Sequence, residues 1–257
     1  MAKLFDTHAH YTDERLRDTE LLSQALAGDI AGLVTVASDL ADSEACIALA
    51  AAHESVWASA GIHPHECGKA GALDDAMERL RMLLKSNKAV AIGEIGLDYH
   101  YDFSDRETQM RFFRSQMDVA AETGFPVIIH DREAHGDVFD VIRTYRGRVR
   151  GILHSCSVSA ELVREYVKMG WYISFSGTIT FKNAAGILDA VRAVPQDRIL
   201  VETDCPYLAP VPMRGKLNHS GYLHYTAEKA AELLQMEYEA FCLTEVENAK
   251  KIFGLIS

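Results

Sequence analysis

Pro126-Val127-Ile128-Ile129-His130-Asp131-Arg132 carries the plan of the chain in seven residues. A proline breaks the segment before it, three aliphatic residues come next, and then an imidazole and two charges. A continuous apolar run between breakers suits a strand buried on both faces, as in a parallel sheet. The preceding segment, 105–123, has helical period: Met110, Phe113, Met117 and Ala121 recur at steps of three and four and form one apolar face. The repeating unit is therefore a helix, a breaker, a buried strand and a polar strand end.

Working outward, runs of the same kind occur at 3–5, 32–37, 56–60, 89–92, 151–153, 171–175 and 199–201, which makes eight with the first. Helical segments lie between them. In 159–169, Ser159 is placed to cap the start, Leu162, Val163, Tyr166 and Val167 form the stripe, and Gly170 stops the helix. The final helix is predicted to open on a capping box of Thr244 with Glu247, to bury Ala249, Ile252 and Phe253, and to end at Gly254. Strand–helix repeats imply right-handed crossovers. Eight of them favour a closed α/β fold, the (β/α)8 TIM barrel, over an open doubly wound sheet. The length of 257 residues matches the ~250 typical of one such barrel, so a single domain over 1–257 is expected.

Composition narrows the function. Hydrophobic residues make up 48% and charged residues 25%, which excludes a disordered, collagen-like or coiled-coil chain. Lys and Arg number 26 against 37 Asp and Glu, for a net charge of −11. Proteins that coat nucleic acid are more often basic, so any attraction for phosphate must be local, from a few cations or bound metal. There is no run of eighteen apolar residues, so no membrane span is expected, and charge at Lys3 and Asp6 comes too early for a signal peptide. Five scattered cysteines without a CxxC pair read as reduced thiols of a cytoplasmic protein.

The strand ends are more informative than the strands. His8 and His10 end the first, His63 and His65 come just after the third, and Glu94 closes the fourth. His130 ends the fifth, His154 the sixth and Asp204 the eighth. In a barrel these ends share one mouth, where catalytic groups sit. Two positions apart on an extended strand, the His8 and His10 side chains point the same way and can reach one ion. Four imidazoles (His8, His10, His130, His154) and two carboxylates (Glu94, Asp204) suit two divalent ions, with a carboxylate as the natural bridge. Each residue alone has a plainer reading, a hydrogen-bonded His or a helix cap. Six together would be costly to bury without a partner.

Six segments then resemble the TatD family of metal-dependent deoxyribonucleases: Asp6-Thr7-His8-Ala9-His10, Gly61-Ile62-His63-Pro64-His65, Glu94-Ile95-Gly96-Leu97-Asp98-Tyr99, His130-Asp131-Arg132, Ser174-Phe175-Ser176-Gly177-Thr178-Ile179-Thr180-Phe181-Lys182 and Glu202-Thr203-Asp204-Cys205-Pro206-Tyr207-Leu208. The resemblance implies a barrel of the metal-dependent hydrolase type and a phosphodiesterase, commonly a 3′→5′ exonuclease on DNA. It assigns His8, His10, Glu94 and Asp204 to one ion and Glu94, His130 and His154 to the other, with Asp204 orienting or deprotonating the attacking water. His63 and His65 would face the substrate phosphate or leaving group. Two places depart from the family pattern: Ser155-Cys156-Ser157-Val158 after His154, and His219-Ser220 after Arg214-Gly215-Lys216-Leu217-Asn218.

The expected enzyme is a hydrolase that cuts single-stranded or frayed DNA near the barrel mouth. Arg132, Arg214 and Lys216 are candidates to hold phosphate oxygens, with a solvated loop the alternative for Arg214 and Lys216, and Tyr99, Tyr101 and Tyr207 are candidates to stack on bases, with core packing the alternative. The donors suit zinc, manganese or nickel, and magnesium less well. Rival readings are a phosphotriesterase, lactonase or amidohydrolase on the same barrel, or a non-catalytic protein that keeps the metal site. The oligomeric state is left open, and a monomer is allowed.

Overall fold

The computed structural model describes residues 2–17, 20–101 and 103–255. Among these, eight strands lie in one sheet in chain order: β1 (Leu4–Ala9), β2 (Ile30–Thr35), β3 (Val56–Ala60), β4 (Ala89–Asp98), β5 (Val127–Arg132), β6 (Gly151–Leu153), β7 (Tyr172–Phe175) and β8 (Ile199–Val201). The registers of β1 with β2, β3 with β4, β4 with β5, β5 with β6 and β7 with β8 are all parallel. Parallel neighbours need a crossover, and helices supply it. These are α1 (Leu21–Ala27), α2 (Leu40–Ala51), α3 (Leu73–Leu83), α4 (Arg106–Thr123), α5 (His135–Thr144), α6 (Ala160–Lys168) and α7 (Ala185–Ala193), with α8 (Leu223–Leu234) and α9 (Tyr238–Phe253) after β8. A parallel bridge between Ala9 and Cys205 joins the end of β1 to the chain beyond β8. The fold is the (β/α)8 barrel that the repeating unit predicts.

Contacts group the chain into two compact units, Met1–Thr35 with His154–Ser257, and Val36–Leu153. In the first, α9 covers β1 and β8, burying Phe241, Ala249, Ile252 and Phe253. In the second, α4 covers β4, whose ten residues are all buried. Among the described residues, the five cysteines are free and buried, and no helix is long and apolar enough to cross a membrane.

Three local expectations are corrected. β4 does not stop at Glu94 but runs to Asp98, pairing Gly96 with His130 and Asp98 with Arg132. The buried residues of α4 are Gln109, Phe112, Phe113, Gln116, Met117, Val119 and Ala120, a face rotated from the apolar stripe read in the sequence because two glutamines belong to it. Thr244 caps nothing: α9 begins six residues earlier, at Tyr238, and the Thr244 hydroxyl donates to Ala240 O inside the helix. The Ser159 cap is present, with its side chain accepting from Leu162 N, and Gly254 closes α9 in the left-handed conformation, φ +70°.

Candidate metal centre

In the first unit the site starts from a seam between β1 and the chain after β8. Asp204 N donates to His8 O at 2.9 Å, and His10 N donates to Cys205 O at 2.8 Å. Asp204 adopts φ +53°, a left-handed conformation that Asp tolerates better than most residues. Asp6 fastens the seam from below. Fully buried, it accepts from Thr203 N (2.9 Å), Thr203 Oγ1 (2.6 Å) and Ser220 Oγ (2.7 Å). Burial pushes the Asp6 carboxyl up to about 6, even though these hydrogen bonds pull the other way. Ser220, one of the residues that depart from the family pattern, is thus part of the scaffold.

The seam brings together the donors of His8, His10 and Asp204. The two Nε2 atoms lie 3.1 Å apart, and Asp204 Oδ1 lies 3.3 Å from His10 Nε2 and 3.7 Å from His8 Nε2. Burial raises the Asp204 carboxyl, but the His10 contact and the charges of His154 and His8 outweigh it and hold the group below its ordinary value. His154 stacks on His8 with ring centroids 3.9 Å apart. Its Nδ1 meets Glu202 Oε1 at 2.7 Å, an oxygen that also accepts from Ser155 N at 2.8 Å. That pairing leaves Nε2 as the donor His154 can offer a cation, the usual carboxylate–histidine arrangement of metal sites.

In the second unit, β4 and β5 set Glu94 against His130, with Glu94 Oε1 2.7 Å from His130 Nδ1. His63, at the start of a 3-10 turn over Pro64–Lys69, puts Nε2 3.7 Å from the same oxygen. Asp98, also on β4, lies behind them: its Oδ2 meets His130 Nε2 at 3.0 Å and His65 Nε2 at 2.8 Å. Burial raises the Asp98 carboxyl, yet the His130 and His65 contacts hold it far below the ordinary carboxylate range. Two glutamines of α4 steady this group. Gln109 accepts from Asp98 N and donates to Asp98 O, and Gln116 does the same for Ile62, next to His63.

Three donor groups therefore form among the described residues: His8–His10–Asp204, His8–His154–Glu202 and His63–Glu94–His130. Ligands around a tetrahedral ion with bonds of ~2.0–2.1 Å stand roughly 3.3 Å apart; the spacings of 3.1–3.7 Å among His8, His10 and Asp204 suit a divalent cation, while Glu94 and His130, 2.7 Å apart, are hydrogen-bonded to each other with His63 at 3.7 Å. All six residues named from the sequence lie in these groups, but divided otherwise than the resemblance assigns: His154 groups with His8 and Glu202, and Glu94 with His63 and His130. His63, expected to face substrate, is also within reach as a donor, and His65 is turned to Asp98. Of the cations, Arg132 lies 4.7 Å over the Tyr101 ring, Arg214 4.0 Å over Phe181, and Lys216 is exposed. The sequence reading missed Glu202 and Asp98 as partners of the imidazoles. The only signal was that both lie inside the quoted motifs.

Comparison with known proteins fits this geometry. Residues 5–254 match the family described as TatD related DNase. The chain is 40% identical to the metal-dependent hydrolase YabD of Bacillus subtilis, over 98% of this chain and 99% of that protein. It is 28% identical, over 98% of this chain and 99% of that one, to a protein of Enterobacter lignolyticus named 3'-5' ssDNA/RNA exonuclease TatD. The crystal structure of YJJV, a TatD homolog from Escherichia coli, superposes with a TM-score of 0.91 over 98% of both chains at 24% identity, a likeness of fold.

Proposed function

Because the chain belongs to the TatD related DNase family of metal-dependent hydrolases, we propose that it hydrolyses phosphodiester bonds of nucleic acid, as a 3′→5′ exonuclease on single-stranded or frayed DNA. The observation that carries the reading is Asp204, kept ionised beside two imidazoles at a seam built to hold it. One divalent ion (zinc, manganese, nickel or magnesium) would be held by His8, His10, Asp204 and His154 in the first unit, and another by Glu94 and His130 in the second. When bound, such ions lower the pKa of water and polarise a phosphoryl oxygen.

The chain's own residues do the rest. Asp204 orients the attacking water and takes its proton on Oδ2, leaving Oδ1 with His10. Glu202 and Asp98 fix the rings of His154 and His130. His63 and His65 face the leaving group, with Asp98 holding the His65 ring. Arg132, Arg214 and Lys216 take phosphate oxygens, and 1–257 works as one hydrolase domain in the cytoplasm. The relative named as a single-strand exonuclease supports the choice of substrate.

The test combines metal analysis with a substrate panel. End-labelled single-stranded DNA, RNA and bis-p-nitrophenyl phosphate are compared with lactones and amides, each with added Mg²⁺, Mn²⁺ or Zn²⁺. A ladder of fragments shortened from the 3′ end is expected. Turnover of a lactone or amide with no cleavage of any diester would replace this reading with the rival hydrolase.

A further inference from the structure

The loop after β4 carries a feature that the hydrolytic chemistry does not use. Phe103 is 65% exposed and Tyr101 41%, and the two rings lie parallel, 12° apart in plane with centroids at 5.4 Å. Two exposed aromatic rings in contact offer a flat apolar face on which another π-system can stack. The pair is also anchored on both sides. His100 N and Tyr101 N donate to Asp98 Oδ1 at 3.0 and 2.8 Å, and beyond Phe103 the Ser104 hydroxyl donates to His65 O and accepts from Gly68 N. Asp98 therefore holds the aromatic loop with one oxygen and the His65 and His130 rings with the other. Phe103 and Tyr101 stand edge-on to the His65 ring, at 4.9 and 5.7 Å, and the Arg132 guanidinium lies over Tyr101.

We propose that Tyr101 and Phe103 form a stacking platform for one nucleobase of a single-stranded nucleic acid, with Arg132 taking the adjoining phosphate. The proposal rests on the phosphodiesterase reading and names the subsite that positions that substrate. Rings 5.4 Å apart leave no room for a third between them, so the base lies on the open face of Phe103. A base stacks through its π-face whatever its identity, so the platform selects unpaired strands without selecting sequence. A platform pinned before binding loses little freedom on binding. Tyr99 takes no part: its hydroxyl donates to Asp137 and Arg106 covers its ring.

The experiment uses single-stranded oligonucleotides with 2-aminopurine at the 3′ end, whose fluorescence falls on stacking, on metal-loaded protein carrying Asp204→Asn so that the ligand is not consumed. Quenching by this protein, largely lost when Phe103→Ala is added and kept when Phe103→Trp is added, is expected. The exposed ring leaves no cavity when truncated, so folding is not at issue. In the otherwise wild-type enzyme with metal, an abasic 3′ sugar and Phe103→Ala each raise KM about 5- to 100-fold, and together no more than either alone. Absence of quenching, quenching that ignores position 103, or losses that multiply would overturn the platform. If Phe103-dependent quenching is found but no oligonucleotide is cut with any divalent ion, the platform stands and the hydrolytic reading falls.

Discussion

Glu202 touches His154 and Ser155 and acts through them. Oriented imidazoles hold metal better than free ones, and losing such a partner typically costs 10–100-fold in affinity. Glu202→Gln is therefore expected to weaken divalent-ion binding by about that factor, measured by competition with a chelator, with much of the turnover restored at high metal. Asp204→Asn separates the proton acceptor from the scaffold. It keeps the seam, which is made by backbone groups, and lowers kcat at saturating metal by about 10²–10⁴-fold; activity within a few-fold of wild type would remove Asp204 as the base. At this scale the candidate donors were legible and their partners were not. Donor types at strand ends announce a cation, and His8, His10, Glu94, His130, His154 and Asp204 all fall into donor groups. A carboxylate that orients an imidazole looks in sequence like any other carboxylate, so Glu202 and Asp98 emerged only with the backbone that aims them.

Helix α4 shows the same division one level up. Its existence and extent follow from the helical period over 105–123, and Asp105 caps its start, accepting from Thr108 N. Its facing does not, because Gln109 and Gln116 are polar by composition and buried by purpose. Gln116→Leu would keep volume and leave both Ile62 backbone groups without their side-chain partner. A loss of roughly 2–5 kcal/mol and a fall in Tm of about 5–15 °C are expected by calorimetry. In α9, Glu245 is fully buried and accepts from Phe5 N at 2.9 Å. Burial pushes its carboxyl well above the usual 4.5, so the folded protein holds a proton that the unfolded chain releases. Stability from this group is complete below pH 4.5 and declines as pH rises from there, by at most about 1.4 kcal/mol per pH unit. Glu245→Gln keeps the acceptor for Phe5 and removes the titration. The difference in urea midpoint between variant and wild type should therefore grow in the variant's favour from pH 4.5 upward, and a difference independent of pH would show that Glu245 titrates normally. The strands were the most legible elements, since buried parallel strands read as unbroken apolar runs. β4 was cut short because its glycines and Glu94 interrupt the run.

For the whole molecule, the net charge of −11 supplies no general attraction for a polyanion. On the proposed function, the attraction that remains would come from bound cations and from a few side chains such as Arg132, so few phosphates would be neutralised at once. Each phosphate contact on a single strand contributes about 0.7 to the slope of log affinity against log salt. With one to three contacts, a slope between about −0.7 and −2 is expected for a short oligonucleotide, far shallower than that of a basic protein that tracks the strand. Fluorescence anisotropy of a labelled 3′-terminal oligonucleotide across a salt series, on Asp204→Asn so that the ligand is not consumed, reads this slope. Binding should also stop tightening once the oligonucleotide exceeds a few nucleotides, because an acidic chain offers the added phosphates no general attraction. A slope steeper than about −4, or affinity that keeps rising with length, would require a basic track along the protein, and the description of an acidic enzyme that grips only the end of its substrate would fail.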